Sequence, residues 1–156
     1  MKILIIEDDP KHFADANAFF FGREGITELV VVKTFDDARP HLFDSEYLKR
    51  KAADGVISDV TFPRWYLSKK PLQIGVAIMS LCQKRGIPCV LNTDGYHHND
   101  ELDWICTLGR ELDWPEIVDC GNHPDQRIET KDWDLAWSTL QELMAAKAVT
   151  TAVGAP

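Results

Sequence analysis

Long hydrophobic runs are missing from this chain. No stretch approaches the ~18 consecutive apolar residues that a membrane-spanning helix needs. No signal peptide is expected either, since Ile3-Leu4-Ile5-Ile6 runs directly into Glu7-Asp8-Asp9. A cytoplasmic location is therefore expected, with no membrane partner. Cysteine is scarce: the four present (Cys82, Cys89, Cys106, Cys120) form no C-x-x-C pair. That argues against structural zinc and for buried, reduced thiols. Basic residues are in deficit, 17 Lys plus Arg against 25 Asp plus Glu, a net charge of -8. So acidic a surface repels phosphate backbones, and nucleic acid is not an expected partner.

The 156 residues are 45% hydrophobic and 27% charged, the values of one globular domain. Short runs rich in Val and Ile read as strands: Lys2–Ile6, Leu29–Val32, Gly55–Val60, Cys89–Leu91 and Glu116–Cys120. They lack clean alternation, as strands covered on both faces do. Helical patterns lie between them. Phe13, Ala16 and Phe20 follow an Asp9 cap and Pro10 at the first helical position. A second helix must hold Pro40 in its first turn, with Asp36 or Asp37 as cap and Leu42 and Phe43 inward. Further stripes are Ile74, Ile78, Leu81 and Cys82; then Leu102, Ile105, Cys106, Gly109 and Leu112 after Asn99-Asp100. Trp133, Trp137, Leu140 and Met144 follow an Asp132 cap, and this tryptophan stripe reads as core packing. Residues 1–147 are expected to form the domain and 148–156 a flexible tail.

Strict strand–helix alternation predicts a parallel sheet with helices on both faces and right-handed crossovers. Ligands of such sheets bind beyond the carboxyl ends of the strands. Glu7, Asp8 and Asp9 follow the first strand and Asp59 ends the third, so carboxylates are expected to converge there. Such a cluster calls for a cation or raised pKa values, and all-oxygen ligands suit Mg²⁺. The alternative is that Asp8 and Asp9 only cap a helix and Asp59 is a turn residue. Thr93 adds a hydroxyl at the same edge. A carboxylate nucleophile, a divalent ion and a hydroxyl donor together suit an acyl phosphate.

These residues resemble a response-regulator receiver domain of the CheY-like superfamily, from Met1 to about Met144. The similarity rests on Ile3-Leu4-Ile5-Ile6-Glu7-Asp8-Asp9-Pro10, on Asp54 to Pro63 around Asp59, and on Gly86 to Thr93. The resemblance implies a flavodoxin-like (βα)5 fold, five parallel strands in the order 2-1-3-4-5. It implies a two-component phosphorelay protein that is no enzyme beyond self-catalysed phosphorylation and dephosphorylation. Asp59 would be the phosphoacceptor and Thr93 the phosphoryl-binding switch residue. Asp8, Asp9, Asp59 and the Thr61 backbone carbonyl would hold Mg²⁺. The implied partners are a histidine kinase or phosphotransfer protein and an unknown output protein. The family's active-site lysine falls on His123, its switch aromatic on Cys120, and its small residue after the threonine on Asp94. Arg64–Pro71 reads as an insertion, from which Lys69 or Lys70 could reach the site, or Trp65 and Tyr66 a partner. A phosphorylation-independent binding module is the runner-up reading. A haloacid-dehalogenase-type phosphohydrolase is a third, although Thr61 stands where it needs a second aspartate.

Overall fold

The computed structural model describes residues 1–44, 51–68, 70–94, 102–119 and 131–153, with side chains through 149. The elements run β1 (Lys2–Ile6), α1 (Pro10–Phe20), β2 (Glu28–Val32), α2 (Phe35–Ala38), β3 (Gly55–Ser58), α3 (Gly75–Arg85), β4 (Cys89–Leu91), α4 (Asp103–Glu111) and α5 (Trp133–Val153). The four strands pair in parallel in the order β2-β1-β3-β4. Val118 continues the sheet beyond β4. Its N–H donates to the Leu91 carbonyl (2.9 Å), and its own carbonyl accepts from Thr93 N–H (2.9 Å). At Val118 the segment expected as the fifth strand lies parallel beside the fourth.

Alternation along β1 builds two cores. Leu4 and Ile6 join Val56, Ile78, Cys82, Leu91 and Ile105 on one face. Ile3 and Ile5 join Ile57, Val90, Phe20, Trp137 and Leu140 on the other. All five β1 residues are buried, as a strand covered on both faces must be. On the second face Phe20 meets Trp133 and Trp137 edge-on, with ring centroids 6.0 and 5.5 Å apart. The tryptophan stripe is core, as expected.

Asp9 caps α1, accepting from the N–H groups of Lys11 and His12 (2.8 and 3.2 Å), and Pro10 takes the first turn. The buried stripe is His12, Ala16 and Phe20; Ala16 and Phe20 are as expected, and His12 replaces the half-buried Phe13 as its first member. The second helix also differs. Thr34, not Asp36 or Asp37, is its cap: Thr34 Oγ1 accepts from Asp37 N–H (3.1 Å) and donates to Asp37 Oδ2 (2.7 Å). Pro40 lacks the N–H to extend that helix, and the chain tightens into a 3₁₀ turn over Arg39–Leu42. Gly86 ends α3 in the left-handed region (φ 62°), with its N–H bonded back to Cys82 and Gln83. Cys82 and Cys89 are buried free thiols, and Cys106 is a half-buried one. The α5 backbone runs to Val153, six residues past the boundary expected at 147. His123, Cys120 and the expected Asn99-Asp100 helix start lie outside the described residues.

Candidate functional site

The sheet register places the site. Ile6 pairs with Ser58 across β1 and β3. The ladder continues past the strand ends, with Glu7 N–H donating to Val32 (2.9 Å) and Asp59 N–H to Ile6 (2.8 Å). One residue further along, Glu7 and Asp59 stand side by side. Strand alternation turns both toward the face that carries Ile5 and Ile57, which is the α5 side.

Lys131, two residues before α5, meets them there. Its Nζ lies 2.9 Å from Asp59 Oδ1 and also donates to Glu7 Oε2. All three side chains are buried: Glu7 is 0% exposed, Asp59 9% and Lys131 4%. Asp59 Oδ1 accepts from Val60 N–H as well (2.7 Å). The hydrogen bonds described for that carboxylate thus fall on one oxygen.

Two buried carboxylates share one ammonium, and the electrostatics show the imbalance. Desolvation pushes Glu7 up to about 7, with Lys131 opposing and Asp59 adding to the rise. Burial likewise raises Asp59 despite Lys131. Burial, then the charge of Asp59, raises Asp8. For Lys131 desolvation pulls down, but Asp59 and Glu7 outweigh it and hold the ammonium charged.

Oxygens of Glu7, Asp8 and Asp59 lie within 4.8 Å of one another, close enough to share one cation. Their all-carboxylate chemistry suits a hard divalent ion. The sequence-derived ligand set differs by one residue, because Asp9 Oδ1 is engaged in capping α1 and Glu7 turns inward instead. Desolvation of Asp9 is outweighed by the His12 and Lys11 amides, which hold its carboxyl below the ordinary value. Asp8, Asp9, Asp59, Thr61 and Thr93 nonetheless all line one cleft of about 310 Å³, with Glu7, His12, Asp94 and Lys131. Thr93 is buried at the end of β4, fixed through its backbone to Val118.

Sequence reasoning placed Glu7 at this edge without naming it as a ligand, and it missed Lys131 and His12. The signal for Lys131 was present. Asp132 and the tryptophan stripe fix the start of α5, and a helix returning antiparallel to a parallel sheet begins at the strands' carboxyl edge. A lysine just before that cap must lie near Asp59. Lys70, offered as a substitute lysine, is exposed, and Lys69 lies outside the described residues. His12 sits at the cleft wall, its Nε2 3.6 Å from Asp94 Oδ2.

No family model matches the sequence, and neither does any curated protein. Solved structures do resemble it in fold, among them two response regulators. The bacteriophytochrome response regulator AtBRR has a TM-score of 0.54 at 19% identity, over 90% of this chain and 91% of that one. The Mn²⁺-bound form of response regulator Rcp1 has a TM-score of 0.53 at 15% identity, over 95% and 93%. The chain has the fold of a CheY-like response-regulator receiver domain.

Proposed function

We propose that this protein is a receiver of two-component signalling that accepts a phosphoryl group on Asp59. The observation that carries this reading is the contact of Lys131 with both Asp59 and Glu7 beside Asp8. It supplies the buried cation that His123 left in doubt. The Asp59 oxygen not bound by Lys131 and Val60 attacks the phosphorus of a phosphohistidine. A P–O bond forms, the P–N bond breaks, and the imidazole leaves with its electron pair and takes a proton. Lys131 holds the carboxylate in place and offsets charge on the transferred group. The Thr93 hydroxyl donates to a phosphoryl oxygen and carries the change to β4. Glu7, Asp8 and Asp59, with the Thr61 carbonyl, would hold Mg²⁺, and the Mn²⁺ bound by Rcp1 supports a divalent ion here. When bound, the ion supplies charge neutralisation for the phosphoryl oxygens. The output of the proposed receiver runs through protein contacts.

The test is intact mass after incubation with Mg²⁺ and acetyl phosphate or phosphoramidate. One added phosphoryl mass on the wild type, absent from Asp59→Asn, is expected. No adduct on the wild type under any donor leaves the runner-up, a phosphorylation-independent binding module.

A further inference from the structure

His12 places a polar ring at a core position. It stands in the first turn of α1, where Asp9 Oδ1 holds its N–H (3.2 Å), and it begins the buried stripe that Ala16 and Phe20 continue. The residue is 5% exposed, and its Nδ1 is buried with no hydrogen bond among the described residues. Packing alone asks for an apolar side chain there, since a buried polar atom without a partner is a net cost. The residue does reach the cleft, whose wall it forms together with Asp59, Thr93 and Asp94.

Sheet order decides what this ring stands over. The strands β1 and β4 flank β3. His12 lies beyond the end of β1 and Asp94 beyond the end of β4, yet His12 Nε2 is 3.6 Å from Asp94 Oδ2. A contact between those two crosses the exit of β3, which is where Asp59 stands. Burial raises the Asp59 carboxyl most, and the negative charge of Asp94 adds to that rise. The wall at Thr61 is held as well. Just past it, where the chain makes an excursion between β3 and α3, Phe62 and Leu72 pair in an antiparallel bridge (3.0 and 3.1 Å).

A separation of 3.6 Å is too long for a direct hydrogen bond and short enough for one water to bond both atoms. The cleft, about 310 Å³ and lined by polar groups, has room for it. Displacement at phosphorus runs in line, with the entering oxygen opposite the leaving one. With Asp59 as the leaving group, the entering water stands on the far side of the phosphoryl group, at the His12–Asp94 pair. We infer that His12 Nε2 and Asp94 Oδ2 hold the water that hydrolyses the acyl phosphate on Asp59, and so set how long it lasts. The inference rests on Asp59 as the phosphoacceptor. The water donates one hydrogen to Nε2 and the other to the Asp94 carboxylate, which turns its lone pair toward phosphorus. A new P–O bond forms, the P–O bond to Asp59 breaks, and the carboxylate leaves with the electron pair. One proton of the water passes to a phosphoryl oxygen and the other stays on the entering oxygen, so dihydrogen phosphate departs.

In the test, the full chain is charged with acetyl phosphate and Mg²⁺, freed of donor, and followed by intact mass in water enriched in ¹⁸O. Decay is first order in the isolated adduct and is read apart from the rate of uptake. His12→Leu and Asp94→Ala should each lengthen the half-life about tenfold or more, and the double variant should be little slower than either. His12→Gln, which keeps an acceptor near the Nε2 position, should restore most of the rate. The label should appear in orthophosphate and not in Asp59. The Asp94 side chain is 59% exposed, so Asp94→Ala reads the pair even where His12→Leu lowers stability. An adduct that never forms overturns the phosphoacceptor reading and this inference with it. Equal half-lives in the wild type, His12→Leu and Asp94→Ala, no recovery in His12→Gln, or label in Asp59 overturn the inference alone.

Discussion

Glu7 is a residue whose protonation bears directly on the folded state. Its folded-state value, about 7, lies above its ordinary 4.5. A carboxyl raised on folding binds more protons in the native state than in the unfolded one. Stability is therefore greatest below the ordinary value and falls as pH rises toward the folded one. Burial moves Asp8 and Asp59 in the same direction. In the metal-free protein, stability measured by urea titration should fall between about pH 4.5 and pH 7. Glu7's share is on the order of 3 kcal/mol. Glu7→Gln should flatten that slope, whereas an unchanged slope would show that Glu7 does not titrate there. Removing Lys131 leaves two buried carboxylates without their cation. Lys131→Met should destabilise by roughly 3 kcal/mol at pH 8 and less at pH 5, where protonation relieves the repulsion.

At the scale of elements, the start of α3 abuts the exit of β3. Gly75 N–H donates to Val60 (3.0 Å), and a Cβ on Gly75 would stand 2.4 Å from the Asp59 carbonyl oxygen. Gly75→Ala must push the helix or the Asp59 backbone aside, at a cost of about 1–3 kcal/mol. Its expected signature is a lowered melting temperature together with slower phosphoryl uptake. A slower uptake alone would not fit the steric cause. The elements also show what the sequence could and could not tell. Val- and Ile-rich runs located the strands because burial on both faces leaves a composition signal. The cap of α2 was misplaced because Thr34, Asp36 and Asp37 all suit that role, and only the backbone decides among them. Which acids group beside Asp59 is decided in a related way. Glu7-Asp8-Asp9 is a run of acids, and the strand's alternation past Ile6 chooses which of them turn inward. Lys131 was missed because a lysine was sought directly after the fifth strand, where His123 stands, whereas the place of Lys131 is set by where α5 begins.

For the molecule as a whole, a divalent ion that binds only the folded state must stabilise it. At one hundred times its dissociation constant, the gain is about 2.7 kcal/mol. Melting temperature should therefore rise with Mg²⁺, and the rise should vanish in Asp8→Asn. Asp9→Asn should keep the rise, because Asn still caps helices well. A lost response in Asp9→Asn would return Asp9 to the ligand set. The parallel sheet with both faces covered was legible from the alternation of element types, which leaves few topologies open; the order of its strands came with the resemblance.

The Phe62–Leu72 bridge has a consequence for how such a protein can diverge. It brings the two ends of the excursion together as paired neighbours. Whatever lies between them can therefore be shortened to a tight turn, lengthened or exchanged without disturbing the sheet. Selection can then rewrite which surfaces the molecule recognises while its acid-lined cleft stays as it is. Graft experiments can do the same, with the segment between the bridge residues as a replaceable cassette.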